Sequence, residues 1–142
     1  NDYVKSFFRG VNVSSVLTAR DVARKRQVTV VEREGNLRSV LQRIADADRD
    51  FAYVVDKKQH FHGVVSVASL EAELKRNEPR LQNAFLPDVV PLEAGTKIGT
   101  IIGTVAQAPC GLPVVDDQGR YLGVVSRALL LEALNQEDAE HG

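Results

Sequence analysis

Hydrophobic and polar positions recur in the same order in two stretches of the chain that lie 60 residues apart, at residues 53–66 and 113–126. Each stretch has two valines, an aspartate that opens a polar turn, and then glycine, two more valines and a serine. Continuous apolar runs on both sides of a turn are typical of strands buried on both faces. The repeat therefore predicts two copies of one supersecondary unit, each of which needs the other to bury its apolar face.

Helices are predicted where apolar residues recur three and four positions apart. This stripe comprises Leu37, Val40, Leu41, Ile44 and Ala45 in the first copy, and Ile98, Ile101, Ile102, Val105 and Ala106 in the second. The first copy is predicted as strand 28–31, helix 37–47, strand 51–56, strand 61–65 and helix 66–75. We therefore predict an α/β (α+β) fold of two β-α-β-β-α repeats related by a pseudo-two-fold axis, with clefts between them.

Two short helices are predicted before the first repeat. Aromatic residues at positions 3, 7 and 8, followed by Gly10, indicate the first helix. The second begins at Thr18, which forms a capping-box pattern with Asp21, and it runs through Val22 and Ala23 into a basic triplet. The predicted segments are an N-terminal helical linker (1–27), repeat 1 (28–76), a connection (77–88), repeat 2 (89–135) and an acidic tail (136–142).

Composition places the chain among single globular domains, with 142 residues of which 44% are hydrophobic and 26% charged. No run of about 18 apolar residues predicts a membrane span, and no secretory signal is apparent. The single cysteine, Cys110, excludes an internal disulfide and suits a reducing, cytosolic compartment. Beside Pro109 and without a nearby histidine, it is interpreted as a small buried residue rather than a nucleophile.

Charge is distributed unevenly, although the net charge of −1 argues against nucleic-acid binding. Residues 1–26 carry six cations against two acids, whereas four acids and no Lys or Arg follow residue 131. The chain is therefore electrically polarised, and its basic and acidic ends are candidates for regulated contacts.

The repeated strand, aspartate-turn, Gly-apolar-apolar-Ser pattern over residues 28–135 resembles the tandem cystathionine-β-synthase (CBS) domain. In addition, the amino-acid sequences of three stretches resemble the C-terminal part of the ATP-binding subunit of glycine betaine/proline ABC transporters: residues 7–11, 19–24 and 103–116. The resemblance implies a non-catalytic regulatory module of an osmoprotectant importer that senses ionic strength. It also implies that residues 1–27 continue from an ATPase domain, which is absent because the sequence has no Gly-x-x-x-x-Gly-Lys-Ser/Thr phosphate loop.

The resemblance further implies the partners and the location of such a module. The expected partners are its own ATPase domain, the transporter permease and a second copy joined through the CBS pairs. The expected location is cytoplasmic, at the inner face of the cell membrane. Gly95, Gly99 and Gly103, spaced four apart, are predicted to line one face of a helix that suits such a dimer. The alternative is that Gly95 precedes the start of this helix at Thr96.

Nucleotide binding is the alternative function. Nucleotide-binding CBS domains carry an aspartate for the ribose three residues after the Ser/Thr, where this chain has Ser69 and Leu129. AMP or ATP binding is therefore weakened, but cyclic di-AMP is also bound in relatives. Ser66 and Ser126 begin helices, where they either dock a phosphate or serve only as N-caps. The residues predicted to surround an adenine are Ala52, Tyr53, Leu112 and Pro113.

The basic residues Arg20, Arg24, Lys25 and Arg26 are predicted to contact an anionic membrane surface or an acidic partner, each cation near the surface contributing about 1 kcal/mol. Rising salt screens such contacts, because the Debye length falls from about 10 Å at 0.1 M to about 3 Å at 1 M. The alternative is that these cations only balance a helix dipole. The acidic end (Glu137, Asp138 and Glu140) either competes for the cations or is a solvated terminus.

Metal binding and catalysis are not predicted. His60 and His62 share one face of a strand and could chelate a metal, but no third ligand follows at a suitable spacing, so surface positions are favoured. The sequence offers no set of nucleophile, base and orienting group, and the chain is therefore not predicted to be an enzyme.

Overall fold

A computed structural model describes residues 14–32 and 36–141, and we describe side chains only up to residue 135. The predicted helix over residues 3–10 and the side chains of the acidic tail lie outside the described residues. In chain order the elements are α1 (Ala19–Val22), β1 (Val28–Val31), α2 (Leu37–Asp46), β2 (Phe51–Val55), β3 (Phe61–Ser66), α3 (Val67–Leu74), β4 (Leu92–Glu93), α4 (Ile102–Gln107), β5 (Leu112–Val115), β6 (Tyr121–Val125) and α5 (Arg127–His141), with 3₁₀ turns at Leu81–Ala84 and Ile98–Thr100.

The first repeat has the predicted strand, helix, strand, strand, helix order, and its boundaries differ from the predicted ones by no more than a residue. Its sheet has the order β1-β2-β3, in which β1 runs parallel and β3 antiparallel to β2. Asn36 caps α2, because its side-chain oxygen accepts a hydrogen bond from the Ser39 N–H at 2.8 Å. The predicted burial of the central strands on both faces is confirmed, since Tyr53, Val54 and Val55 are all buried.

The core of the first repeat forms where the predicted stripe of α2 meets the sheet. Leu37, Val40 and Ile44 of α2 pack with β2 and β3 residues, with Leu70 of α3 and with the 3₁₀ turn of the connection. Phe85, which follows that turn, lies over Gly63 so closely that a Cβ at this glycine would be 2.5 Å from the ring. The connection is thus part of the core rather than a loose link.

Glu73 is a buried carboxylate that the sequence did not flag. It accepts hydrogen bonds from the Arg80 backbone N–H at 3.0 Å and from Asn83 Nδ2 at 3.1 Å. The bond from Arg80 is the main cause of a lowered pKa for Glu73; burial opposes it, while Asn83 and Arg76 add to the lowering. Glu73 therefore fastens α3 to the connection through its charge.

The second repeat departs from the predicted single helix over its apolar stripe. A 3₁₀ turn (Ile98–Thr100) is followed by the short α4, and the helical path is interrupted between them at Ile101. Ile98, Ile101 and Val105 are buried as predicted, but Ile102 is 38% exposed and Ala106 is also exposed. The break accompanies Gly99, where a Cβ would lie 2.8 Å from the Ser14 carbonyl oxygen, so backbone occupies the space that a regular helix residue needs.

The predicted glycine stripe is therefore wrong as a feature of one helix. Gly95 lies in a turn before the 3₁₀ segment, Gly99 lies inside it, and Gly103 lies in α4. A Cβ at Gly95 or Gly103 would meet nothing within 4 Å. The sheet of this repeat has the order β4-β5-β6, with β4 parallel to β5, and α5 continues to His141, past the predicted end of the repeat.

The described chain divides into two compact units. One contains the residues up to Lys25, Pro91–Asp117 and the chain from Leu122 on; the other contains Arg26–Val90 and Gln118–Tyr121. In the second of these units the Phe61 N–H donates to the Gly119 carbonyl at 3.0 Å, and the Tyr121 N–H donates to the Gln59 carbonyl at 2.8 Å. The turn of one sequence repeat is thus paired with the turn of the other inside a single unit.

Aromatic rings cover this pairing. The Tyr121 ring stacks on Tyr53, with centroids 6.1 Å apart, and on Phe61 at 6.3 Å. The Tyr121 hydroxyl is sealed from solvent without a well-formed hydrogen bond. Burial raises the pKa of Tyr121 to about 12, and the nearby Thr29 hydroxyl opposes the shift.

Candidate functional site

Ser66 occupies the predicted N-cap position of α3. Its Oγ accepts a hydrogen bond from the Ser69 N–H at 2.9 Å, and Ser69 Oγ accepts one from the Ser66 N–H at 2.9 Å. The Ser69 hydroxyl also donates to the Ser66 carbonyl at 3.2 Å. The two serines therefore satisfy each other, and a ligand that recruits the Ser69 hydroxyl has to break this capping box.

Ser126 is the equivalent cap of α5. Its Oγ accepts from the Leu129 N–H at 3.1 Å, and its carbonyl accepts from the Leu130 N–H at 2.9 Å. Leu129 has no polar atom to return a bond to the Ser126 N–H, so this cap is one-sided. The N-cap role of both serines is confirmed, whereas their role in docking a phosphate stays a prediction.

The four residues predicted to surround an adenine lie at the starts of the central strands: Ala52 and Tyr53 in β2, Leu112 and Pro113 in β5. All four are buried in this structure. The Tyr53 ring is occupied by its stacking on Tyr121. Their contact with a ligand stays a prediction, and it involves side chains that the fold already packs.

The basic residues Arg20, Arg24, Lys25 and Arg26 are all exposed, as a surface contact requires. Arg24 differs from the others because its Nη1 donates to the carbonyls of Asp21, Val22 and Ala23, at 3.1, 3.2 and 2.8 Å. Lys25 and Arg26 have no side-chain hydrogen bond or ion pair with any residue that the structure describes. Arg20 has none either in that part of the chain, but its charge helps to lower the pKa of Asp21. Lys25 and Arg26 are therefore the two cations of the segment without a described side-chain interaction.

The predicted helix through the basic triplet is wrong. The Thr18–Asp21 capping box is present, and the Thr18 backbone N–H, followed by its hydroxyl, lowers the pKa of Asp21. However, α1 ends at Val22, and Ala23 is extended, with φ −59° and ψ 142°. Arg24 then pairs with Val124 of β6: its N–H donates to the Val124 carbonyl at 3.1 Å, and its carbonyl accepts from the Val124 N–H at 2.9 Å.

Pairing with a strand thus replaces helix continuation in this segment. The neighbouring Gly123 has φ +132° and no side chain, which lets the Arg24 backbone approach. α1 ends at Val22, and Arg24, whose Nη1 donates to the carbonyls of Asp21, Val22 and Ala23, lies at this helix C-terminus as the dipole interpretation requires. Lys25 and Arg26 lie beyond the helix end, and among the described residues no side-chain hydrogen bond or ion pair ties them to it.

Two cavities lie away from the predicted serines. One, of about 530 Å³, is lined by Arg20 and by residues at the ends of β4 and β5, including Glu93, Asp116 and Asp117. The other, of about 710 Å³, is lined by Glu32, Asp56, Lys57, Lys58, His60 and Gln82. Arg20 is the one predicted site residue among the lining residues of these two cavities.

The second cavity adjoins a group of polar side chains that we call the histidine cluster, comprising Glu32, Asp56, His60 and His62. Asp56 Oδ2 lies 3.1 Å from His60 Nδ1 and 3.3 Å from His62 Nε2, while His62 Nδ1 lies 3.2 Å from Glu32 Oε2. Asp56 Oδ1 accepts the backbone N–H groups of Lys58 and His60 at 2.8 and 2.9 Å.

These contacts shift the charge state of Asp56. Desolvation alone raises its pKa, but the hydrogen bonds from His60, His62 and Lys58 outweigh it and lower the pKa from 3.8 to about 2. The sequence showed the two histidines and Asp56 but not Glu32, which β1 brings from a distant part of the chain. Among the described residues, no group of three His, Cys, Asp or Glu side chains is arranged to hold a metal ion, and no helix has the length and apolar character to cross a membrane.

Comparison with known proteins identifies the fold. A model of the CBS domain matches residues 84–136. The fold is also that of CbpB solved in complex with c-di-AMP, with a TM-score of 0.75 and 17% identity over 99% of this chain and 97% of that one. The chain has the fold of a tandem CBS-domain pair, here called the CBS pair. Staphylococcus aureus OpuCA has the same fold, with a TM-score of 0.68 and 22% identity over 81% of this CBS pair and 97% of that chain.

Sequence similarity extends along the whole CBS pair. It is 38% identical over 144 residues to the glycine betaine/proline betaine transport system ATP-binding protein ProV of Salmonella typhimurium. That match covers 100% of this chain and 36% of ProV, so the CBS pair spans about a third of the length of this relative. The resemblance inferred from the motifs is thus confirmed, including the segment before the first repeat.

Proposed function

We propose that the chain is the regulatory, non-catalytic module of the ATP-binding subunit of an osmoprotectant (glycine betaine/proline) ABC importer. The observation that carries this proposal is the 38% identity to ProV along the full length of the chain. The sequence has no phosphate-binding loop, so ATP hydrolysis belongs to a separate ATPase domain. The proposed partners are that domain, the permease and a second copy of the module, on the cytoplasmic face of the membrane.

Ionic strength is the proposed signal, and the basic segment is the proposed sensor. Lys25 and Arg26 are exposed and have no hydrogen bond or ion pair with described residues, so their charges are available to an anionic surface. At low salt, they hold the module against anionic lipid and transport is inhibited. As internal salt rises, screening weakens this contact and releases the module.

The double substitution Lys25→Gln/Arg26→Gln is expected to remove most of this salt response. Each cation contributes about 1 kcal/mol at an anionic surface, so binding of the chain to phosphatidylserine-containing vesicles at low salt should fall about 30-fold. In vesicles containing the whole transporter, the variant should transport at low salt as wild type does at high salt.

The matched control is Arg38→Gln/Arg43→Gln, which removes the same charge from exposed positions of α2. It should leave the salt dependence of vesicle binding and of transport close to wild type. Equal salt curves for wild type and Lys25→Gln/Arg26→Gln would remove the proposed sensor, and equal losses in both variants would show an effect of net charge alone.

A second candidate function is regulation by an adenine nucleotide. It is favoured by the likeness to CbpB, which was solved with c-di-AMP, and by the two helices that begin at Ser66 and Ser126. Because Ser69 is bonded to Ser66 and Leu129 is apolar, ribose recognition by these two side chains is weak, and we favour a ligand held through its phosphates.

Calorimetric titration of the chain with AMP, ATP and c-di-AMP tests this candidate. Binding of one nucleotide should also raise the melting temperature, because a ligand at 100 times its Kd adds about 2.7 kcal/mol to the free energy of unfolding. The expected order is c-di-AMP above AMP and ATP. Absence of both heat and thermal shift with all three would exclude adenine-nucleotide regulation of this module and leave the ionic-strength proposal intact.

A further inference from the structure

The His62 ring lies between two carboxylates that come from different strand ends. Its Nε2 is 3.3 Å from Asp56 Oδ2, just after β2, and its Nδ1 is 3.2 Å from Glu32 Oε2, just after β1. His60, two positions earlier, differs because only its Nδ1 faces a carboxylate, the same Asp56 Oδ2, at 3.1 Å. The two histidines therefore differ in how many ring nitrogens face a carboxylate: one in His60 and two in His62.

A count of donors and acceptors defines the difference. Asp56 accepts four contacts: two backbone N–H groups at Oδ1 and two ring nitrogens at Oδ2. An ionised carboxylate has about four acceptor sites and no proton to donate, so each ring nitrogen that faces it must present an N–H. A neutral imidazole has one N–H, which suffices for His60. In His62 the Nε2–Asp56 contact has hydrogen-bond geometry, whereas Nδ1 lies at ion-pair distance from Glu32, so a neutral ring leaves the Glu32 carboxylate beside an uncharged nitrogen.

We propose that His62 is doubly protonated in the folded chain and acts as a proton-dependent clasp between the ends of β1 and β2. Loss of one proton turns one of its two attractive contacts into a repulsive one. Histidine is the side chain that ordinarily changes charge between pH 5 and 8, so this clasp responds to changes around neutrality. The proton is then an effector of the module distinct from salt or a nucleotide.

The clasp lies next to a turn that pairs with another part of the chain. Asp56 opens the turn whose residues Gln59 and Phe61 exchange backbone hydrogen bonds with Tyr121 and Gly119. Lys57 and Lys58 line the adjacent cavity, so cations as well as carboxylates lie near the cluster. His60 forms a backbone bridge with Arg120. Release of the clasp loosens the turn on which the pairing between residues 59–61 and 119–121 depends.

Nitrogen-15 NMR of the histidine rings in the chain tests the protonation state directly. At pH 7, both His62 nitrogens of the wild type should carry protons. In Glu32→Gln, the side-chain amide can donate to a neutral ring, so His62 should carry one proton there. A wild-type His62 with a single proton at pH 7, or the same state in both proteins, would overturn the proposal.

Thermal unfolding at pH 6 and pH 8 provides an independent readout. The wild type should lose about 2–4 °C more in melting temperature between these pH values than His62→Gln, which is the size expected for one partly exposed ion pair in a domain of this length. His60→Gln is the matched control, since it removes a histidine from the same carboxylate, and it should follow the wild type. Parallel behaviour of all three proteins would contradict a clasp at His62.

Discussion

Replacing Gly123 by alanine is expected to lower the free energy of unfolding by about 2–4 kcal/mol. The residue has φ +132°, a conformation that strains any L side chain by about 1–3 kcal/mol. A Cβ there would lie 2.8 Å from the carbonyl carbon and oxygen of Arg24 and 3.0 Å from its nitrogen. Relief of that clash requires separation of Arg24 from Val124, and each backbone hydrogen bond lost costs about 0.5–1.5 kcal/mol.

Urea unfolding followed by circular dichroism measures this effect, and Gly103→Ala is its control. Gly103 lies in α4, and nothing is within 4 Å of the position a Cβ would take, so alanine there should stabilise the fold by about 0.5–1 kcal/mol. A Gly123→Ala variant within 0.5 kcal/mol of wild type would show that the Arg24 backbone does not depend on this close approach. A destabilised variant would also link the fold to the basic segment, because Lys25 follows directly on Arg24.

The pairing of Arg24 with β6 beside Gly123 explains why the helix predicted through the basic segment is wrong. A capping box and alanine at position 23 favour a helix locally, and the box is present. The helix nevertheless stops because Arg24 has a strand partner in Val124, about a hundred residues further along the chain. Local propensity is a weak term that tertiary pairing overrides, and no pattern within residues 18–26 shows the partner.

The elements of the first repeat were predictable because the sequence pattern shows directly which residues are buried. Continuous valine runs, a polar turn and a stripe with helical spacing each select one kind of element, and the structure has each of them at the predicted place. Ser66 and Ser126 were predictable for a related reason, since N-caps are decided by short-range chemistry. The family resemblance rested on these same residues.

The histidine cluster and Glu73 could not be predicted in the same way. Glu32 reaches His62 only because β1 pairs in parallel with β2, and the sequence does not state that register. Glu73 occupies a helix position that follows Leu70 by three residues, on the buried face, and the only sequence signal was an acid where an apolar residue was expected. Its partners at residues 80 and 83 depend on how the connection folds back.

The prediction of a single helix in the second repeat was wrong for a reason that an experiment can measure. Its apolar stripe has the same spacing as that of α2, yet the helix is interrupted at Ile101. Ile98, Ile101 and Val105 are buried like their counterparts in α2, whereas Ile102 is exposed and its counterpart Leu41 is partly buried. Two isoleucines of the stripes therefore differ greatly in burial, although their positions are not equivalent: Ile44 corresponds to Val105, and Ile102 to Leu41. Ile44 is fully buried, whereas Ile102 is 38% exposed.

Ile44→Ala is therefore expected to lower the free energy of unfolding by about 3–4 kcal/mol, since it removes buried methyl groups and leaves a cavity among Val40, Val54 and Leu70. The same change at Ile102 should alter it by no more than about 0.5 kcal/mol, because little apolar area is lost and alanine favours helix. Urea unfolding of the two variants in parallel checks both values. If both cost the same 3–4 kcal/mol, Ile102 is buried in the folded chain, contrary to its 38% exposure in this structure. If only Ile44→Ala is costly, spacing alone does not assign a residue to the core: the backbone must also be free to continue the helix that the spacing implies.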